Sequence, residues 1–148
     1  MRRDTITTKP LKSSFLSCEK DAEMIIKKLL VSSRPYSDML KKLLIINTKD
    51  CINNNSLNKQ KYQDIVDNFS LSKIMEDQYI TLVPKIKMEE HEEVKSYIII
   101  SFDNFTPTDN PEYRDCTVTF DIICHTDYWD IGDFQLRPLK IAGYIDGI

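Results

Sequence analysis

Apolar residues recur every three or four positions through the first half of the chain and at every second position through much of the rest. This predicts helices followed by strands. Behind Ser17, placed to cap a helix, Ala22, Ile25, Ile26, Leu29 and Leu30 share one face while Lys27 and Lys28 fall opposite, so a helix ending near Ser33 is expected. Pro35 and Ser37 restart the chain, and Met39, Leu40, Leu43 and Leu44 predict a second helix with Lys41 and Lys42 outward. Residues 47–61, rich in Asn, Lys and Ser, read as a loop, and Tyr62 to Met75 as weakly helical.

The period then falls to two. From Tyr79 to Met88, Ile80, Leu82, Pro84, Ile86 and Met88 alternate with Thr81, Lys85 and Lys87, which predicts a strand, and Glu89 to Glu93 a solvated acidic turn. Tyr97 to Asn104 is expected as a second strand with Ile98, Ile100 and Phe102 on one side. Pro107, Asp109, Asn110 and Pro111 make a connection of the kind that protrudes. Cys116 to Thr126 predicts a third strand, with Cys116, Val118, Phe120, Ile122 and Cys124 on its apolar face. Short links between sequential strands favour an antiparallel meander. Pro138 suits the first turn of a closing helix whose apolar side is Leu139, Ile141, Ala142 and Ile145. The expected class is therefore α+β: N-terminal helices, a three-stranded antiparallel meander and a C-terminal helix. Residues 1–16, polar and broken by Pro10, are expected as a flexible arm, and 17–148 as a single domain.

A chain of 148 residues that is 41% hydrophobic can bury a core without disulfides or metal. No apolar run nears the roughly 20 residues that cross a bilayer, and no hydrophobic stretch follows the N-terminal charges, so a soluble, unsecreted protein is expected. The four cysteines, Cys18, Cys51, Cys116 and Cys124, lack CxxC spacing and fit reduced thiols. Three glycines, far apart in sequence from any phosphate-cradling pattern, exclude P-loop and Rossmann nucleotide sites. The net charge of -3 hides a gradient: residues 1–50 hold 11 basic and 6 acidic side chains, residues 101–148 hold 3 and 9. Such a gradient suits oriented head-to-tail association, and equally a basic tail on an acidic domain. The basic residues form no stripe with aromatics, which argues against a DNA-binding domain.

Candidate chemistry is sparse. His91 lies in the acidic turn, and His125 near a strand end, four residues from Asp121 and so roughly 13 Å away along a strand. Cys124 and His125 point to opposite faces. Asp121, Asp127, Asp130 and Asp133 crowd the end of the third strand and would suit a Mg or Ca ion in a small hydrolase, although they match no EF-hand. With Tyr128, Trp129 and Phe134 among them, an aromatic and acidic contact surface is favoured, with Arg137 and Lys140 able to answer such acids on a neighbouring subunit. No catalytic residue, metal or cofactor is expected.

The segments NPEYRDCTVTFDIICHTDYWD and RPLKIAGYIDGI, within Ser96 to Ile148, resemble the tail terminators and other neck proteins of phages and prophages infecting low-GC Gram-positive bacteria. The order helix, meander, helix is similar to that fold, which normally adds further strands after the second helix, so either a chain continuing beyond Ile148 or a natural frayed terminus fits. The resemblance implies a non-enzymatic virion protein, assembled in the host cytoplasm, forming a homo-oligomeric, generally sixfold ring through which DNA passes without sequence-specific contact. Its implied partners are the tail tube protein and the head connector, with no membrane. Strand edges and the 104–115 loop, with Asn110, Tyr113 and Arg114, would make subunit contacts alongside Tyr128, Trp129, Asp130, Phe134, Arg137 and Lys140. Alternatives are a head-tail adaptor or stopper, the metal-dependent hydrolase above, and a regulatory module that docks a peptide on a strand edge.

Overall fold

The computed structural model describes residues 14–82, 95–110, 113–132 and 134–148. The expected arm falls largely outside them. The first helix, α1 (Ser14–Lys27), begins three residues before the anticipated cap and continues as one π-helical turn over Lys28–Ser32. Ala22, Ile26, Leu29 and Leu30 are buried, as their spacing requires.

In α2 (Tyr36–Ile45), Leu40, Leu43 and Leu44 are buried, but so is Lys41, 8% exposed, which the pattern had placed outward. Ser37, Lys41 and Leu44 lie one turn apart on a second inward face that packs beside α3, so the helix is covered on more than one side. Burial pushes the Lys41 ammonium below its ordinary range, an effect Asp38 partly opposes.

The weakly helical stretch resolves into α3 (Lys59–Asp67) and α4 (Leu71–Glu76), which bury Tyr62, Val66 and Ile74. They are separated at Ser70, whose side chain accepts a hydrogen bond from Lys73 N and caps α4.

Three strands form one sheet in the order β1-β2-β3. The pairing of β2 (Tyr97–Pro107) with β3 (Arg114–Ile123) is antiparallel, as expected. That of β1 (Ile80–Thr81) with β2 is parallel, which corrects the all-antiparallel meander. The physical reason is length: a parallel return needs about a dozen residues or more, and residues 82–96 separate the two strands. The expected continuation of the first strand to Met88, the acidic turn and His91 lie outside the described residues.

Ile80, Ile98 and Ile100 from the sheet meet the helices in one core with Ile141 of α5 (Arg137–Gly147), and Val118, Phe120, Ile122 and Cys124 flank it. Cys116, expected on that face, is exposed because β3 has by then run beyond the core. Leu139 is also corrected. It is 68% exposed, since Ile141, Tyr144, Ile145 and Ile148 hold the inward side and a residue two positions from Ile141 lies about 200° round the helix.

Candidate functional site

The sequence candidates fall at opposite ends of the β2–β3 hairpin. The register runs from Tyr97 opposite Ile123 to Pro107 opposite Arg114, a span of roughly 30 Å. At the distal end, Thr108 Oγ1 donates to the carbonyl of Asn110 at 2.9 Å or to that of Tyr113 at 3.0 Å, which ties the turn before Arg114. Beyond Phe102 and Val118 the hairpin leaves the core cluster, and most side chains from Asp103 to Thr117 are exposed on both faces. Asn104, with φ of 55°, marks an irregularity where the ladder shifts register between Asp103 and Thr106.

The proximal corner, residues 124–140, is built around Arg137. Its Nε donates to Tyr128 O at 2.8 Å, Nη1 to Leu43 O and to Ile46 O at 3.1 Å, and Nη2 to Thr48 O at 2.9 Å. The side chain is 0% exposed. Arg137 is thus removed from the list of intersubunit candidates. Its charge sits against the C-terminus of α2, where the last carbonyls lack helical partners and the helix dipole is negative.

That clamp sets out the remaining corner residues. Tyr128 lies in the 3-10 turn Thr126–Tyr128, half-buried, with its ring 6.4 Å from that of His125. Trp129 Nε1 donates to Cys124 O at 2.7 Å, leaving part of the indole exposed. Asp130 accepts from Gly132 N at 3.0 Å and lies 3.7 Å from Lys49. His125 Nδ1 accepts from the Asp127 amide at 3.2 Å; no bond to Asp121 accompanies it. Among the described residues, no three His, Cys, Asp or Glu side chains gather so as to hold a metal ion, and Asp133 lies outside them.

Phe134 is fully exposed and left-handed, with φ of 57°. The backbone holds it there: Gln135 N donates to Gly132 O at 2.9 Å, Ile131 N to Gln135 O at 3.1 Å, and Asp130 bridges Leu136. A non-glycine residue in that region costs about 1–3 kcal/mol, and burying a phenyl gains about 1.5–3 kcal/mol that this conformation forgoes within the subunit.

Phe134 borders a groove of about 680 Å³ with Tyr36, Leu136, Leu139, Gly143 and Tyr144. Nothing lies within 4 Å of where a Cβ at Gly143 or Gly147 would stand, so its floor is bare. Lys140 stands at its edge, with no carboxylate partner among the described residues. A second groove, about 500 Å³, runs between β3 and α5, lined by Val118, Phe120, Ile122, Ala142, Ile145 and Asp146. The β3 edge beside it is unpaired among the described residues.

Sequence reading missed Tyr36, Leu136, Leu139 and the second groove. One signal was present: Leu139, Gly143 and Gly147 repeat every four residues, a face distinct from that of Ile141 and Ile145.

Among the described residues, no helix is long and apolar enough to cross a membrane. The model of one protein family, described as YomW, matches residues 37–148. No curated protein and no solved structure gives a significant match.

Proposed function

We propose, starting from the fact that this chain belongs to the YomW family, which takes its name from a gene of a Bacillus phage region, that it is a structural subunit of a tailed-phage virion. It assembles as a ring at the head-tail interface or the top of the tail tube, in the manner of a tail terminator. The observation that supports this most is the hairpin arm. An isolated two-stranded ribbon is marginal in water, yet Asp103 to Thr117 carries both faces largely exposed, with Tyr113 and Arg114 near its tip. Such an arm is stabilised when a neighbouring surface covers it.

Ring order follows from interface angles, so a head-tail adaptor or stopper shares the same reading.

Native mass spectrometry with negative-stain imaging tests it. A closed ring of six or twelve copies is expected, and replacing residues 104–115 by a short turn should leave a folded subunit that no longer assembles. A chain that stays monomeric at every concentration overturns the proposal, and one that also retains a stoichiometric divalent metal through buffer exchange favours the hydrolase.

A further inference from the structure

We infer that the Phe134 ridge of one subunit seats in the groove between β3 and α5 of a second copy of this chain, and that this joint propagates head to tail. The inference rests on the reading of the chain as a self-assembling subunit and names the surfaces that join.

A closed ring needs two different, mutually complementary surfaces on each subunit; a single self-complementary patch gives only a two-fold pair. The fold supplies two, on either side of the inward face of α5. One carries the fully exposed Phe134, which projects at the rim of the first groove, with Leu136 and Leu139 lining that groove beside it. The other is concave, with Val118, Phe120 and Ile122 of β3 facing Ala142 and Ile145 of α5.

The charges match the shapes. Lys140 stands beside the ridge and Asp146 beside the groove, and neither has an opposite charge to pair with among the described residues. Seating the ridge in the groove of a second copy brings the Lys140 cation toward the Asp146 anion. Two ridges placed together would instead oppose Lys140 to Lys140. Complementary rim charges set partner choice and register more than affinity. The β3 edge, unpaired among the described residues, adds backbone donors and acceptors along the same groove, where Phe134 of the incoming copy would lie.

The joint is tested by mixing two disabled forms of the full chain. Phe134→Asp removes the ridge and leaves the groove; Ala142→Arg fills the groove and leaves the ridge. Sedimentation velocity should show each alone as a monomer and the equimolar mixture as a one-to-one dimer that grows no further. Val118→Asp, on a partly exposed β3 side chain of the same groove, replaces Ala142→Arg if arginine disturbs α5. Lys140→Glu should weaken association about fivefold, the size expected for an exposed pair, and adding Asp146→Lys in the same chain should restore it.

Rings that persist in both Phe134→Asp and Ala142→Arg overturn the joint and leave the assembly reading intact. A wild-type chain that stays monomeric at every concentration overturns both. A mixture in which each variant pairs only with itself also overturns the joint.

Discussion

Arg137 donates from Nη2 to the Thr48 carbonyl at 2.9 Å, across most of the length of the chain and with no carboxylate in the contact. A guanidinium taken out of water is ordinarily compensated by an anion. Here the end of α2 replaces it: several carbonyls that a helix terminus leaves without donors converge on one planar group that carries donors in a fixed fork. The contact locks the α2 terminus to the 3-10 turn and α5, and so it orients the corner on which Phe134 and Lys140 stand.

Arg137→Ala should lower unfolding free energy by on the order of 3–5 kcal/mol, because the carbonyls it serves remain buried. Arg137→Lys should recover only a minor part, since one ammonium cannot fork across Tyr128, Ile46 and Thr48. Urea denaturation checks both, and a loss of less than about 1 kcal/mol for alanine would remove the clamp from the account.

The Asp50 carboxylate accepts from the hydroxyls of Ser56 and of Tyr62, the latter at 2.8 Å, and Ser56, the largest influence, and Tyr62 hold it well below the usual carboxylate range. A carboxyl depressed in the folded state stabilises the fold fully above its unfolded value of about 3.9, and that contribution is lost as pH falls toward the folded value. Asp50→Asn should therefore cost about 1–2 kcal/mol at pH 7 and almost nothing once pH has fallen below the folded value. Stability measured against pH should show the two proteins converging in acid; a constant gap would mean that the hydrogen bonds do not depend on the charge.

Thiol reactivity should follow burial. Cys116 is exposed, whereas Cys51 is buried and its thiol is pushed up by burial, more than the Arg137 guanidinium beside it pulls down. Cys124 is raised by burial as well. Alkylation at pH 8 followed by peptide mapping should label Cys116 first and Cys51 only on unfolding. Rapid native labelling of Cys51 would show that the α2 end opens readily.

Phe134→Gly should leave the subunit as stable as the parent or raise stability by up to about 1 kcal/mol, because glycine accepts φ of 57° without penalty. Phe134→Ala keeps the strain and should be the less stable of the two. Thermal unfolding at concentrations low enough for monomer decides this. A marked loss in the glycine variant would show that the phenyl packs within its own subunit.

The helices and strands were legible where periodicity was unbroken: Ala22 to Leu30, Leu40 to Leu44, Ile98 to Phe102 and Val118 to Ile122 bury, fully or in part, the residues their spacing selects. The YomW match agrees with a phage origin read from the C-terminal third, Ser96 to Ile148. Phe134 and Trp129, named from the aromatic side chains in the loop after β3, are both exposed in the fold.

What the order of residues determined by itself was the alternation of apolar and polar positions, since each element must bury one face whatever its neighbours are. Tertiary structure alone decided the parallel pairing of β1, the inward turn of Lys41 and the exposure of Leu139. Those outcomes depend on which second surface packs against an element, and a local pattern carries no record of that. Arg137 shows the limit most clearly. In sequence it is a cation after an acidic loop, and only the arrival of the α2 terminus from 89 to 94 positions away makes it a buried cap. Long-range contacts of that kind supply donors and acceptors that no neighbouring residue announces.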